Sequence, residues 1–206
     1  NAELKKLETE LLQVGQKLSS QRQKLIPELT KAVTTHLNDL GFAQSQLDVA
    51  LNSTGNPAEA KSTGLDSVEF QFAPNPGEPA RPLRAIASSG ELARVMLALK
   101  TVLAAEDSIP VLIFDEVDAN VGGETAHAVG ERMRQIADQR QVLCITHLAP
   151  VAAAAQTHYV VSKAVIDGRT ESNIQRLNDK DRVDEIARML GGKVGAARQH
   201  AEELLK

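Results

Sequence analysis

Aromatic side chains are almost missing from this chain. Its 206 residues include four Phe, one Tyr and no Trp, so a core has to be assembled from Leu, Val, Ile and Ala. Cysteine is equally scarce. Cys144 stands alone, which excludes an internal disulfide framework and a cysteine-ligated metal cluster and leads us to expect a reducing, cytoplasmic compartment. No apolar run reaches the ~18 residues of a membrane-spanning helix, and no signal-peptide pattern is present, so neither insertion nor secretion is predicted. Charge of one sign is lacking too: 23 Lys and Arg against 27 Asp and Glu give a formal net charge of −4. That excludes a global basic field for a polyanion and leaves a local basic patch open. The chain starts at Asn1, in mid-pattern and without methionine, and we expect it to be a piece of a longer protein.

What is present begins with a helical repeat. Leu4, Leu7, Leu11, Val14, Leu18, Gln21 and Leu25 recur at the ~3.5-residue period of a coiled coil, and only Gln21 breaks the apolar rule. Lys5, Lys6, Glu8, Glu10, Lys17 and Arg22 fall off this seam. The helix would be roughly 35–40 Å long and cannot hide its own stripe. Two arrangements fit: an amphipathic helix lying on its own domain, or one strand of a coiled coil whose partner lies outside this chain. The regular seam favours the second. Pro27 is expected to close or kink the run, which divides the chain into a coiled-coil segment, 1–26, and a lobe, 27–206.

A second helix is expected to follow, with Leu29, Val33, Leu37 and Leu40 on one face and Gly41 at its end. The period then changes to two. Leu47, Val49 and Leu51 form one run, Val68, Phe70 and Phe72 another, with Leu83 to Ile86 as a third short strand, and turn-rich loops between them. This predicts a small antiparallel patch.

Beyond residue 88, strands and helices alternate. Helices are expected over Glu91–Ala105, Glu124–Asp138 and Ala149–Ala155, and strands over Val111–Phe114, Val142–Thr146 and Tyr159–Ser162. Short, wholly apolar strands between helices indicate an α/β fold with a parallel sheet covered on both faces. Asp167-Gly168 marks a hairpin with Ile174–Leu177 returning. Two helices, Arg182–Leu190 and Gly195–Leu205, close the chain around Gly191-Gly192.

Three stretches carry chemistry. Val111 to Phe114 runs straight into Asp115-Glu116 at the carboxyl edge of a strand, where open α/β sheets bind ligands. At a nucleotide site the first carboxylate can hold Mg²⁺ and the second can polarise the attacking water. Taken alone, the motif is equally an ordinary strand finishing in an acidic loop. Ala87-Ser88-Ser89-Gly90-Glu91 leads into a helix, and free N–H groups with a serine hydroxyl make an anion site there. Taken alone, it is equally a serine N-cap. Thr146-His147 follows a second buried strand and brings a histidine to the same edge, while Asp118 lies two residues past Glu116.

In this order, the hydroxyl-glycine loop, the strand ending in Asp-Glu and the strand ending in His resemble the C-terminal half of an ABC-type ATPase head. They are more like the SMC-like members that act on DNA ends and chromosomes than membrane transporters. The resemblance makes Ala87 to Glu91 the signature loop and Val111 to Glu116 the Walker B strand, with a D-loop through Asp118 and His147 as the switch histidine. Within that class the chain looks like the RecN family of bacterial DNA repair ATPases. The matching stretches are Ser89-Gly90-Glu91-Leu92-Ala93-Arg94, Phe114-Asp115-Glu116-Val117-Asp118, Thr146-His147-Leu148, His158-Tyr159-Val160-Val161-Ser162-Lys163 and Ala187-Arg188-Met189-Leu190-Gly191-Gly192. Ser89 departs from the family's usual Ser-Gly-Gly-Glu, and Asn120 stands where a glycine often follows the D-loop.

The resemblance implies a P-loop NTPase fold, with ATP and Mg²⁺ as cofactors. It assigns Asp115 to the metal, Glu116 and His147 to catalysis, and Ser88, Ser89, Gly90, Glu91 and Asp118 to nucleotide contacts. No G-x-x-x-x-G-K-[ST] is present; Gly55 to Ser62 comes nearest, with Ala60 at the second glycine position and Pro57 inside. The P-loop is therefore expected on an N-terminal half of the same protein. Further implied partners are a second head in an ATP-bound homodimer and DNA at double-strand breaks, with the protein in the bacterial cytoplasm at the nucleoid. By itself the chain is expected to be inactive. The rival readings are a head of another SMC-like chromosome or nuclease-partnered repair ATPase, and a non-catalytic assembly module.

Overall fold

The computed structural model describes residues 2–106, 108–166, 168–192 and 195–206. The chain divides into two compact units, Asn1–Ser88 and Ser89–Lys206, each described by itself.

The first unit is built on a long helix, α1 (Ala2–Asp39), with Pro27 inside it. Of the two outcomes expected at Pro27, a stop or a kink, the stop is not found, since the helix runs on through it, and neither is the separate second helix. Proline removes one backbone donor and crowds the preceding turn, but packing on both sides outweighs that cost. Upstream, a Cβ on buried Gly15 would run into Leu65, so only glycine lets the helix approach this closely. One turn further, Ser19 and Arg22 donate to the buried carboxylate of Asp66 at 2.5 and 2.7 Å, and Ser53 donates to it as well. Downstream, Val33, Leu37 and Leu40 are fully buried, and α1 packs on the strand that follows. Thr30 spans the proline, its hydroxyl donating to the carbonyls of Ile26 and Pro27 at 2.9 and 3.2 Å. Leu4, Leu7, Leu11, Val14 and Leu25 of the seam are exposed. The helix closes where the Phe42 N–H returns to the Leu37 carbonyl at 3.0 Å around Gly41.

The antiparallel patch has the order β1 (Gln46–Ser53), β2 (Asp66–Ala73), β3 (Arg81–Pro82). Leu47 faces Phe72 and Val49 faces Phe70, while Phe42 meets Phe72 edge to face with centroids 5.2 Å apart. The third strand lies upstream of its expected place: Leu83–Ala85 forms a 3-10 turn, and the Ile86 N–H bonds to the Leu83 carbonyl at 3.1 Å. Pro82 lacks the donor that a longer ladder needs. Gly55 to Ser62, the nearest approach to a P-loop, lies in the connection between β1 and β2, with a 3-10 turn at Pro57–Glu59.

The second unit runs α2 (Ser89–Val102), β4 (Val111–Phe114), α3 (Gly123–Ala137), β5 (Gln141–Cys144), α4 (Ala149–Ala153), β6 (Tyr159–Ile166), β7 (Arg169–Arg176), α5 (Asp179–Met189) and α6 (Ala196–Leu204). β4 and β5 pair in parallel, Val111 beside Gln141 and Phe114 beside Cys144, with α3 as the crossover. Among the described residues only one face of this pair is covered. Leu112 and Phe114 are buried, whereas Ile113, Leu143 and Ile145 are 68, 45 and 61% exposed. The expected cover on both faces is therefore absent from the described residues, because side chains alternate along a strand and the helices lie behind one set alone. β6 does not extend this sheet; it pairs with β7 in an antiparallel hairpin longer than expected, Tyr159 facing Arg176. Of the expected turn, Asp167 lies outside the described residues. A small-residue core of Ala149, Ala152, Ile186, Ala187 and Ala201 joins α4 to α5 and α6.

Candidate functional site at the end of the parallel strands

β4 ends at Phe114, and the next two carboxylates, Asp115 and Glu116, are exposed. Glu116 has a φ of +57°, in the left-handed region that a non-glycine residue keeps only when its surroundings hold it. Three contacts do so. The Ala119 N–H bonds to the Glu116 carbonyl at 3.0 Å. Gly90 packs so closely that an added Cβ would stand 3.0 Å from that same oxygen and 3.0 Å from the Ala119 Cβ. On the side chain, the Ser89 hydroxyl donates to Glu116 Oε2 at 2.5 Å.

Ser89 and Gly90 open α2, earlier than the expected start at Glu91, so the serine-glycine stretch is itself the helix's first turn. Glu91 lies in the same turn, at the positive end of the helix dipole. Ser88 ends the first unit and directly precedes Ser89 in the chain. One turn on, the buried guanidinium of Arg94 donates to the carbonyls of Val117 and Ala119 at 3.3 and 3.1 Å. Burial pushes its pKa down, while the charge of Glu91 opposes that fall. The start of α2 thus grips the backbone of residues 116 to 119 by contact and by hydrogen bonds.

Asp118 turns the other way. It is buried at 1% exposure, and its Oδ2 accepts the Thr146 hydroxyl and the His147 N–H, the latter at 3.2 Å. The His147 Nδ1 lies 3.6 Å from the same oxygen, with the ring 72% exposed. One carboxylate therefore ties the loop after β4 to the loop after β5 and fixes where the histidine emerges. Burial first, and then the charges of Asp118 and Asp115, pushes the Cys144 thiol up to about 12.

The structure thus brings Ser89, Gly90, Asp115, Glu116, Asp118 and His147 into one unit, with Asp118 as an internal tie. Sequence reasoning missed two supports, Arg94 and Thr146. Both stand inside the quoted motif stretches, but nothing local distinguishes an arginine bound to a remote loop from a solvated one. Among the described residues no three His, Cys, Asp or Glu side chains converge as a metal cage. Asp115 offers one hard oxygen donor, which suits Mg²⁺, an ion held by one or two carboxylates together with water and phosphate.

The fold is similar to that of Smc head domains. An Smc head with an extended coiled coil from Pyrococcus furiosus, solved with the C-terminal domain of ScpA, superposes over 91% of this chain and 44% of that one at a TM-score of 0.57 and 17% identity. A Pyrococcus yayanosii Smc head with coiled coil and joint superposes over 86% of this chain and 29% of that one, at a TM-score of 0.53 and 20% identity. The sequence takes the assignment further. The chain is 45% identical over 205 residues to the DNA repair protein RecN of Deinococcus radiodurans, covering 99% of this chain and 36% of that protein. It is 41% identical over 209 residues to RecN of Treponema pallidum, again covering 99% and 36%. The chain is RecN-like in sequence and Smc-head-like in fold, and it spans about a third of the length of the curated relatives it matches. No family model matches it.

Proposed function

We propose that this chain is the C-terminal lobe of an ATP-hydrolysing head in a RecN-like protein of DNA double-strand-break repair. The observation that carries the reading is the convergence of Glu116, Asp118 and His147 at one edge of a parallel pair, with the Ser89-Gly90 turn packed against the same loop. The site is half of one. Asp115 would hold Mg²⁺, directly or through water. Glu116 would polarise the attacking water, and His147 would face the terminal phosphate. Bound Mg²⁺ supplies neutralisation of phosphate charge. The phosphate-cradling backbone and lysine would come from an N-terminal half, and the exposed face of Ile113, Leu143 and Ile145 is the apolar surface such a half would cover. Ser88, Ser89, Gly90 and Glu91 would meet the nucleotide of a second head, so that ATP joins a homodimer and hydrolysis releases it.

The exposed Leu4, Leu7, Leu11, Val14 and Leu25 of the seam support a coiled-coil arm over residues 1–26, with residues 27–206 as the lobe. DNA is the macromolecular partner, and the cytoplasm at the nucleoid is the setting. A chromosomal SMC or nuclease-partnered ATPase is less favoured: the RecN relatives reach 45% identity across the chain, against 17% for the P. furiosus Smc head. The test is Glu116→Gln in the full-length protein, read by ATP binding and turnover. Binding should persist while turnover falls roughly 10²-fold or more. Parental turnover would demote Glu116 to a loop acid. For the isolated chain, little ATP affinity and almost no hydrolysis are expected; micromolar binding would overturn the half-site reading.

A further inference from the structure

The Ser89–Glu116 hydrogen bond joins two parts of the proposed mechanism inside one lobe. Ser89 belongs to the turn assigned to an incoming phosphate, and Glu116 to the attacking water. A serine hydroxyl has a single proton to donate, and here it goes to Glu116 Oε2 at 2.5 Å. Both residues are exposed, so a ligand can reach the pair. The backbone of Glu116 is meanwhile held at φ +57° by Ala119 and Gly90, so the carboxylate can reorient about its side-chain bonds while its base stays fixed.

We propose that Ser89 is a positioning residue that couples the anion turn to Glu116. With the turn empty, the hydroxyl pins the carboxylate to the start of α2. A nucleotide phosphate arriving from a second copy of the protein takes over that donor, and Glu116 is freed to face water. The switch is a rotation of the hydroxyl about Cβ–Oγ; no proton changes owner. The inference rests on the reading of Glu116 as the water-polarising base and of the Ser88–Gly90 stretch as an anion site.

The experiment uses the full-length protein with its P-loop half, at saturating ATP. Read at protein dilution where the heads stay apart and no partner phosphate reaches the turn, Ser89→Ala should raise turnover about 3- to 10-fold, the scale of one hydrogen bond that no longer has to be broken; in the dimer the variant also loses its phosphate contact, and the gain should vanish. Ser89→Thr, which keeps the hydroxyl, should return to the parental rate. In a Glu116→Gln background, Ser89→Ala should add nothing, whereas a merely structural serine would act independently. At that dilution, an unchanged or lower turnover in Ser89→Ala, or a Ser89→Thr variant behaving like it, overturns the coupling while leaving the Glu116 assignment intact if Glu116→Gln is still impaired. Parental turnover in Glu116→Gln overturns both.

Discussion

Asp118 and Thr146 are far apart in the chain, and in the fold the Thr146 hydroxyl donates to the Asp118 carboxylate. This bond places the loop after β4 and the loop after β5 in one frame, and it decides where His147 leaves the surface. Thr146→Val removes the donor and leaves a buried carboxylate with one fewer partner. Denaturant unfolding should show a loss of about 1–3 kcal/mol, and Thr146→Ser should recover most of it. A valine variant as stable as the parent would mean that the His147 N–H alone satisfies Asp118.

Gly90 offers a second test of the same frame. Alanine in the first turn of α2 would ordinarily be favoured over glycine by up to ~1 kcal/mol. Its Cβ would press on the Glu116 carbonyl and Ala119 at 3.0 Å, and backbone yields less readily than a side-chain tip. Gly90→Ala should therefore lower the unfolding midpoint, and a stabilised variant would show that the loop is free to shift.

In the first unit, hydrogen bonds from Ser19 and then Ser53, ahead of the Arg22 contribution, hold the Asp66 carboxyl below its usual value against the opposing effect of burial. Because the folded-state pKa is the lower one, the stability it contributes is complete above the unfolded value of about 4 and is lost as pH falls through the folded value. Asp66→Asn should destabilise the protein at neutral pH, and its deficit should narrow progressively below that point. A deficit independent of pH down to the acid transition would show that the charge of Asp66 is not what matters.

The Cys144 thiol, pushed up to about 12 by burial and by Asp118 and Asp115, should be nearly inert in the native protein. At pH 8, alkylation should run on the order of 10³-fold slower than for an ordinary thiol, since the thiolate is the nucleophile. Unfolding in denaturant should release it to the ordinary rate. Rapid native labelling would argue that the strand end opens.

Much of the lobe was legible in the residues because the signals are local. A four-residue apolar run ending in Asp-Glu needs no distant information to be read as a strand with its carboxylates at the edge, and Val111–Phe114 lies where expected. The α3 helix agrees within a residue at each end for the same reason. Boundaries went astray where a remote partner decides. Pro27 sits inside α1 because Gly15, Ser19 and Arg22 on one side and Val33 and Leu37 on the other are anchored to segments far away in sequence.

The sequence by itself therefore determined the order of the motifs, the strand ends that carry Asp115, Glu116 and His147, and the α/β class, since periodicity and turn chemistry act over a few residues. Tertiary structure alone decided that Asp118 is a buried tie, that Arg94 and Thr146 hold the site from outside it, and that Ser89 reaches Glu116. It also decided that, among the described residues, one face of β4 and β5 is left open. Each of these depends on which segments the folded chain brings within hydrogen-bonding or van der Waals distance, and no local pattern encodes that proximity.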